Sequence, residues 1–188
     1  QGLLKNPMVS PDILGTTQAA AFGSAFGILM YFNFFEITLL SFSLGVISVF
    51  VTYNLSKIFR SDRILGLILT GMMIGSLFSS LISFVKLVAD TENQLPSITY
   101  WLMGSLASVK MIDFKFMFFP IVIGLMVSNL YKIEINIFTM GEEEAKTLGL
   151  NTDKIRFIII FFATLMTASS VAVTGIIGWI GLVIPHFS

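Results

Sequence analysis

Five uncharged runs, 13–35, 37–56, 64–85, 116–131 and 157–185, constrain what this chain can fold into more than any other feature. About 20 mostly apolar residues cross the ~30 Å hydrocarbon layer as a helix, which satisfies its own backbone polar groups there. Four of the runs reach that length unaided. The run 116–131 is short, but Met111, Ile112 and Phe114 extend it once Lys115 stretches its stem toward the headgroups. Composition agrees, with 55% hydrophobic and 12% charged residues against roughly 45–50% and 25% in soluble domains. The pattern predicts an all-α, polytopic transmembrane helix bundle with about five spanning helices, at approximately 14–34, 37–56, 64–87, 112–131 and 154–174.

Several function classes are excluded on the same grounds. None of the runs follows a basic start and precedes a small-residue cleavage site, so none is a cleaved signal peptide. A net charge of zero gives nucleic acid no electrostatic footing, and the absence of cysteine removes disulfides, thiolate metal sites and a Cys nucleophile. His186 is the sole histidine, with no other ligand type beside it, so no metal site and no cofactor are expected. No G-x-x-x-x-G-K-[ST] occurs, so the chain does not hold ATP by that route. The uncharged runs also lack the ionisable residues that a proton-coupled carrier or membrane-embedded enzyme, the alternative reading, places inside its spans.

Basic residues orient the spans. Lys5, Lys57, Arg60, Arg63, Lys132, Lys146, Lys154 and Arg156 fall on one side, and Lys86, Lys110 and Lys115 on the other. Eight against three places the first group in the cytoplasm and the segment 89–113 outside. Within that outer segment, residues 97–106 carry Tyr100 and Trp101 and suit a short helix at the outer face. The last run predicts a helix to about Val173, then a break at Gly175, Gly178 and Gly181, packed against protein or a cavity. With no initiating Met and loop-like sequence at its start, the chain reads as an internal fragment of a longer protein.

Residues 140–149 set a short charged element between two long apolar ones. Thr139 and Glu142 have capping-box spacing, Glu142, Glu143 and Glu144 crowd the positive end of the helix dipole, and Gly149 supplies a left-handed stop. Glu142, Ala145 and Gly149 share one face, with Leu148 beside them. Such an element is either a capped surface helix or a docking knob for a soluble partner. Residues 64–85 pose a second choice. Gly71 and Gly75 form a G-x-x-x-G that signals close helix packing. With Ser76 and Ser79 they could equally give a pathway a wide, weakly adhesive wall.

Four blocks carry a family resemblance. Asn6-Pro7-Met8-Val9-Ser10-Pro11-Asp12-Ile13-Leu14-Gly15 is similar to N-P-L-x-x-P-x-x-L-G, and Tyr100-Trp101-Leu102-Met103-Gly104-Ser105 to a W-x-x-G-S/G segment. Gly141-Glu142, Ala145 and Leu148-Gly149 resemble a cytoplasmic coupling segment. Gly175 through His186 resembles G-x-I-x-F-x-G-L-x-x-P-H, with Trp179 where Phe is usual. Together they resemble the FecCD-type permeases of ABC importers for iron–siderophore complexes, haem and cobalamin. The resemblance implies a piece of one permease domain, 1–188, from a bundle of about ten helices. It implies transport of a bulky metal chelate without catalysis, driven by a separate cytoplasmic ATPase dimer. It also implies an extracytoplasmic substrate-binding protein, a second permease subunit in a homo- or heterodimer, and surrounding membrane lipid. Coupling to the ATPase falls to Gly141, Glu142, Ala145, Leu148 and Gly149, and pathway or dimer packing to Gly71, Gly75, Ser76 and Ser79.

Overall fold

Helices account for the regular structure of the described residues, 11–59, 63–107 and 109–178 of a computed structural model. A 3₁₀ turn, Pro11–Leu14, leads through Gly15 into α1 (Thr16–Leu29), α2 (Phe34–Ser56) and α3 (Arg63–Val88). They are followed by α4 (Gln94–Met103), α5 (Met111–Leu130), α6 (Lys132–Met140), α7 (Glu142–Thr147) and α8 (Thr152–Thr174). Four helices, α2, α3, α5 and α8, are long and apolar enough to cross a membrane.

The first run behaves differently from the expected span over 14–34. Its helix, α1, has 14 residues, a length of about 21 Å at 1.5 Å per residue. Tyr31 takes a left-handed φ of 56°, and Asn33 immediately caps the next helix. Asn33 Oδ1 accepts from the Glu36 amide at 3.0 Å and Glu36 Oε2 accepts from the Asn33 amide at 2.8 Å, a full capping box. One apolar run is therefore shared between two helices. α1 is also the most enclosed element, touching α2, α3, α4 and α8, with Ala19, Ala20 and Ala21 at 0% exposure.

Small residues make that enclosure possible. A side chain at Gly23 would meet Ser41 Cα at 2.7 Å, so α1 and α2 pack nearly backbone to backbone. Ser41 Oγ donates to the Ala20 carbonyl at 2.8 Å across this seam, and Gly45 lies against Ala168 of α8 and Ala20 of α1. α8 then serves as the common wall for α1, α2 and α5. α5 leans on α8 at Gly124, where Met166 fills the space a side chain would take.

The long helices sort the basic residues as anticipated. Lys57, Lys132, Lys154 and Arg156 lie at the ends of α2, α5 and α8 on one side, and Lys86, Lys110 and Lys115 at the opposite ends of α3 and α5. Asn93 and Thr147 are exposed on the two opposite connections. In a full-length protein with any cysteine outside this chain replaced by serine, Asn93→Cys should react with an impermeant maleimide on intact cells, and Thr147→Cys only after permeabilisation. The reverse pattern would invert the orientation.

Candidate functional site

The connection between α5 and α8 holds two short helices rather than the single helix expected at 140–149. Residues 132–140 are themselves helical, and α7 begins at Gly141 with no side chain capping its first turn. Thr139 stands in the last turn of α6 and Gly141 holds the N-cap position of α7, so the backbone does not give Thr139 the cap position that the expected Thr139–Glu142 capping box requires. Gly149 does take a left-handed φ of 78°, after Leu148 closes α7. The chain then returns inward, with the Leu150 amide donating to the Ala145 carbonyl at 3.1 Å.

Burial divides the five predicted coupling residues. Ala145 is 0% exposed and faces inward, while Leu148 is 63% and Met140 72% exposed. Ala145 is thus the close-packing point of the hairpin, a correction to the expected face shared with Gly149, which is open. Gly141 is buried as the extended link between α6 and α7. Gly149 is open, with nothing within 4 Å of where a side chain would begin. The backbone of Glu142 opens α7. The hairpin therefore presents Met140, Leu148 and Gly149 outward and is held from behind by Ala145. Phe138, 2% exposed, anchors α6 in a core with Leu14, Val49, Leu67, Ile155 and Ile160. The Arg156 guanidinium lies 5.9 Å from the Phe138 ring centroid.

On α3, the glycines and serines separate onto two faces. Gly71 and Gly75 are buried against the turn entering α1. A side chain at Gly15, itself at φ 76°, would stand 2.9 Å from the Gly71 carbonyl and 3.0 Å from the Gly75 amide. Ser76 and Ser79 face outward with Ser80 and Ser83. The hydroxyls of Ser76, Ser80 and Ser83 donate to carbonyls one turn back, at 2.9, 3.0 and 3.1 Å. With its polarity partly turned into its own helix, this face is only mildly polar.

At the opposite end, α4 starts three residues earlier than the expected 97–106 and ends at Met103. Pro96 is accommodated because it lies in the first turn, where no intrahelical amide is needed. Gln94 Nε2 donates to the Leu29 carbonyl at 2.9 Å, tying α4 to the end of α1. Gly104 at φ 67° and Gly175 at φ 72° then meet. A side chain on Gly104 would strike the Ile176 carbonyl, and one on Gly175 the Trp101 carbonyl. The Ser105 amide donates to the Thr174 carbonyl at 2.8 Å across the same joint. Sequence reasoning placed a break at Gly175 but missed its partner. Glycines directly following both helices were the available signal.

No group of three or more His, Asp or Glu that could hold a metal occurs among the described residues. His186 and Trp179 lie outside them, as do residues 1–10 of the first block.

A bundle of long apolar helices with a short helix at one end and an acidic helical hairpin at the other is a multi-pass membrane domain. The model of the FecCD transport family matches residues 1–188, and the chain belongs to that family. It is 36% identical over 188 residues to the molybdate import system permease protein MolB of Haemophilus influenzae, covering 100% of this chain and 56% of that protein. It is 30% identical over 187 residues to the cobalamin import system permease protein BtuC of Halobacterium salinarum, covering 99% and 50%. A solved structure described as an inward-facing ABC transporter, assigned to the metal-chelate type, superposes with a TM-score of 0.93 at 36% identity, covering 100% of this chain and 60% of that one. The chain spans about half the length of the curated relatives it matches.

Proposed function

We propose that the protein is the permease subunit of an ABC importer that carries a metal-containing solute inward, with ATP hydrolysis in a separate cytoplasmic protein. The observation that carries this reading is the likeness along the whole chain to a transporter of metal-chelate type, joined to a hairpin that exposes Leu148 on the basic side of the membrane. A large exposed Leu on a helix backed by a buried Ala suits docking into a cleft of a soluble partner. The serine face of α3 suits a pathway wall for a bulky ligand, shared with a second permease subunit. An extracytoplasmic binding protein would deliver the solute near α4. A bulky chelate is the leading substrate class. A metal oxyanion is the second reading, supported by the 36% identity to a permease named for molybdate.

The test is reconstitution of the full-length permease with its ATPase and binding protein, measuring uptake of ferric siderophore, cobalamin and molybdate. Hydrolysis stimulated by none of them, with the ATPase bound, would reject the reading. Leu148→Arg should lower ATPase copurification and stimulated hydrolysis at least about tenfold, the scale of one lost hot spot, while expression stays normal. A fully active Leu148→Arg complex would remove α7 from the docking surface.

A further inference from the structure

We propose that the cleft between the end of α2 and the start of α8 binds the headgroup of an anionic phospholipid of the cytoplasmic leaflet. This cleft has a volume of about 690 Å³ and is walled by Phe50, Tyr53 and Lys57 from α2 and by Lys154 and Phe157 from α8. Tyr53 Oη donates to the Asp153 carbonyl at 3.1 Å and closes its back. Lys57 Nζ stands 4.7 Å from the Tyr53 ring centroid and 3.2 Å from Asn54 Oδ1, which holds the ammonium at the cleft. Lys154 is exposed at the mouth. Two ammoniums against the single carboxylate of Asp153 leave the cleft with one surplus positive charge. The amino end of the 23-residue α8 adds its dipole in the same sense.

A phospholipid suits this site better than a free phosphate because the cleft continues into the bilayer as an aromatic ladder. Tyr53 and Phe157 lie 4.7 Å apart, Phe50 and Phe157 5.8 Å, and Phe50 and Phe161 5.3 Å. The ladder descends from the lysines toward the middle of both helices, and Phe50 keeps 40% of its surface exposed. A phosphate between Lys57 and Lys154 would thus hang its acyl chain along Phe157, Phe50 and Phe161. Basic pockets between helices on the anionic cytoplasmic face are where such headgroups settle.

The experiment uses the full-length permease in nanodiscs of mixed phosphatidylglycerol and phosphatidylcholine, with the lipids retained after extraction counted by native mass spectrometry. Wild type should retain phosphatidylglycerol preferentially. Lys57→Ala with Lys154→Ala should cut that preference about 30-fold, since each ammonium near an anionic surface contributes about fivefold. Lys132→Ala, a cytoplasmic-side lysine outside the cleft, should leave it unchanged. If the double variant is poorly made, Lys57→Arg with Lys154→Arg should fold and keep the preference. The proposal is overturned if the alanine pair retains phosphatidylglycerol like wild type, or if millimolar inorganic phosphate displaces the lipid completely. A crosslink from Asn54→Cys to another protein segment in place of lipid would overturn it too.

Discussion

Gly175→Val in the full-length permease is expected to cost about 2–6 kcal/mol, enough to abolish most of the folded, transport-competent protein. Two effects add. Gly175 sits at φ 72°, where a β-branched residue is strained by about 1–3 kcal/mol. Its side chain would also strike the Trp101 carbonyl and stand 2.9 Å from Gly104 Cα, both backbone atoms that cannot swing aside. The joint between α4 and α8 would open, carrying the Ser105–Thr174 hydrogen bond with it. Thermal unfolding followed by size-exclusion fluorescence reads the effect. A variant melting within a degree or two of wild type would show that α4 is not locked to α8.

Gly71→Ala is expected to destabilise by about 1–3 kcal/mol, although glycine to alanine inside a helix ordinarily stabilises by about 0.5–1 kcal/mol. The sign reverses because the new methyl would run into the Ile13 carbonyl and stand 2.8 Å from Leu14 Cα. Gly75→Ala is the internal control. Its methyl would meet Gly15 Cα at 3.6 Å and Gln18 Cγ at 3.7 Å, ordinary contacts, so its melting temperature should match or exceed wild type. If both variants behave alike, the turn at Pro11–Leu14 does not seat on α3. Uptake assays at a temperature where both are folded then separate packing from any pathway role of this helix.

The elements most legible in the sequence were those whose length and hydropathy leave one solution. Residues 37–56, 64–87, 112–131 and 154–174 read as long helices, and the structure places α2, α3, α5 and α8 there. A bilayer forbids unpaired backbone, so a sufficiently long uncharged run has almost no alternative to a helix. The break after Val173 was legible for the same reason, since glycines interrupt the last run. α6 was not legible. Lys132-Ile133-Glu134-Ile135-Asn136-Ile137 alternates polar and apolar residues with period two, which hides a helix from any search for a 3.6-residue period.

Composition and local pattern were enough to mark this chain as a membrane-embedded helical domain and to reveal the family whose motifs it carries. Those properties depend on local composition and on residues close together along the chain. Tertiary structure alone decided which face each motif residue presents. Ala145 turned inward while Leu148 stayed out, and Gly71 turned to the Pro11–Leu14 turn while Ser76 and Ser79 faced away. It also paired Gly104 with Gly175, 71 positions apart in the chain, and shortened the first run to a buried 14-residue helix. The physical reason is that helices uniformly apolar on every side carry no amphipathic stripe to mark their inner face. Where every face is apolar, steric fit between small residues on different helices selects the contact, and that fit exists only once the helices are assembled.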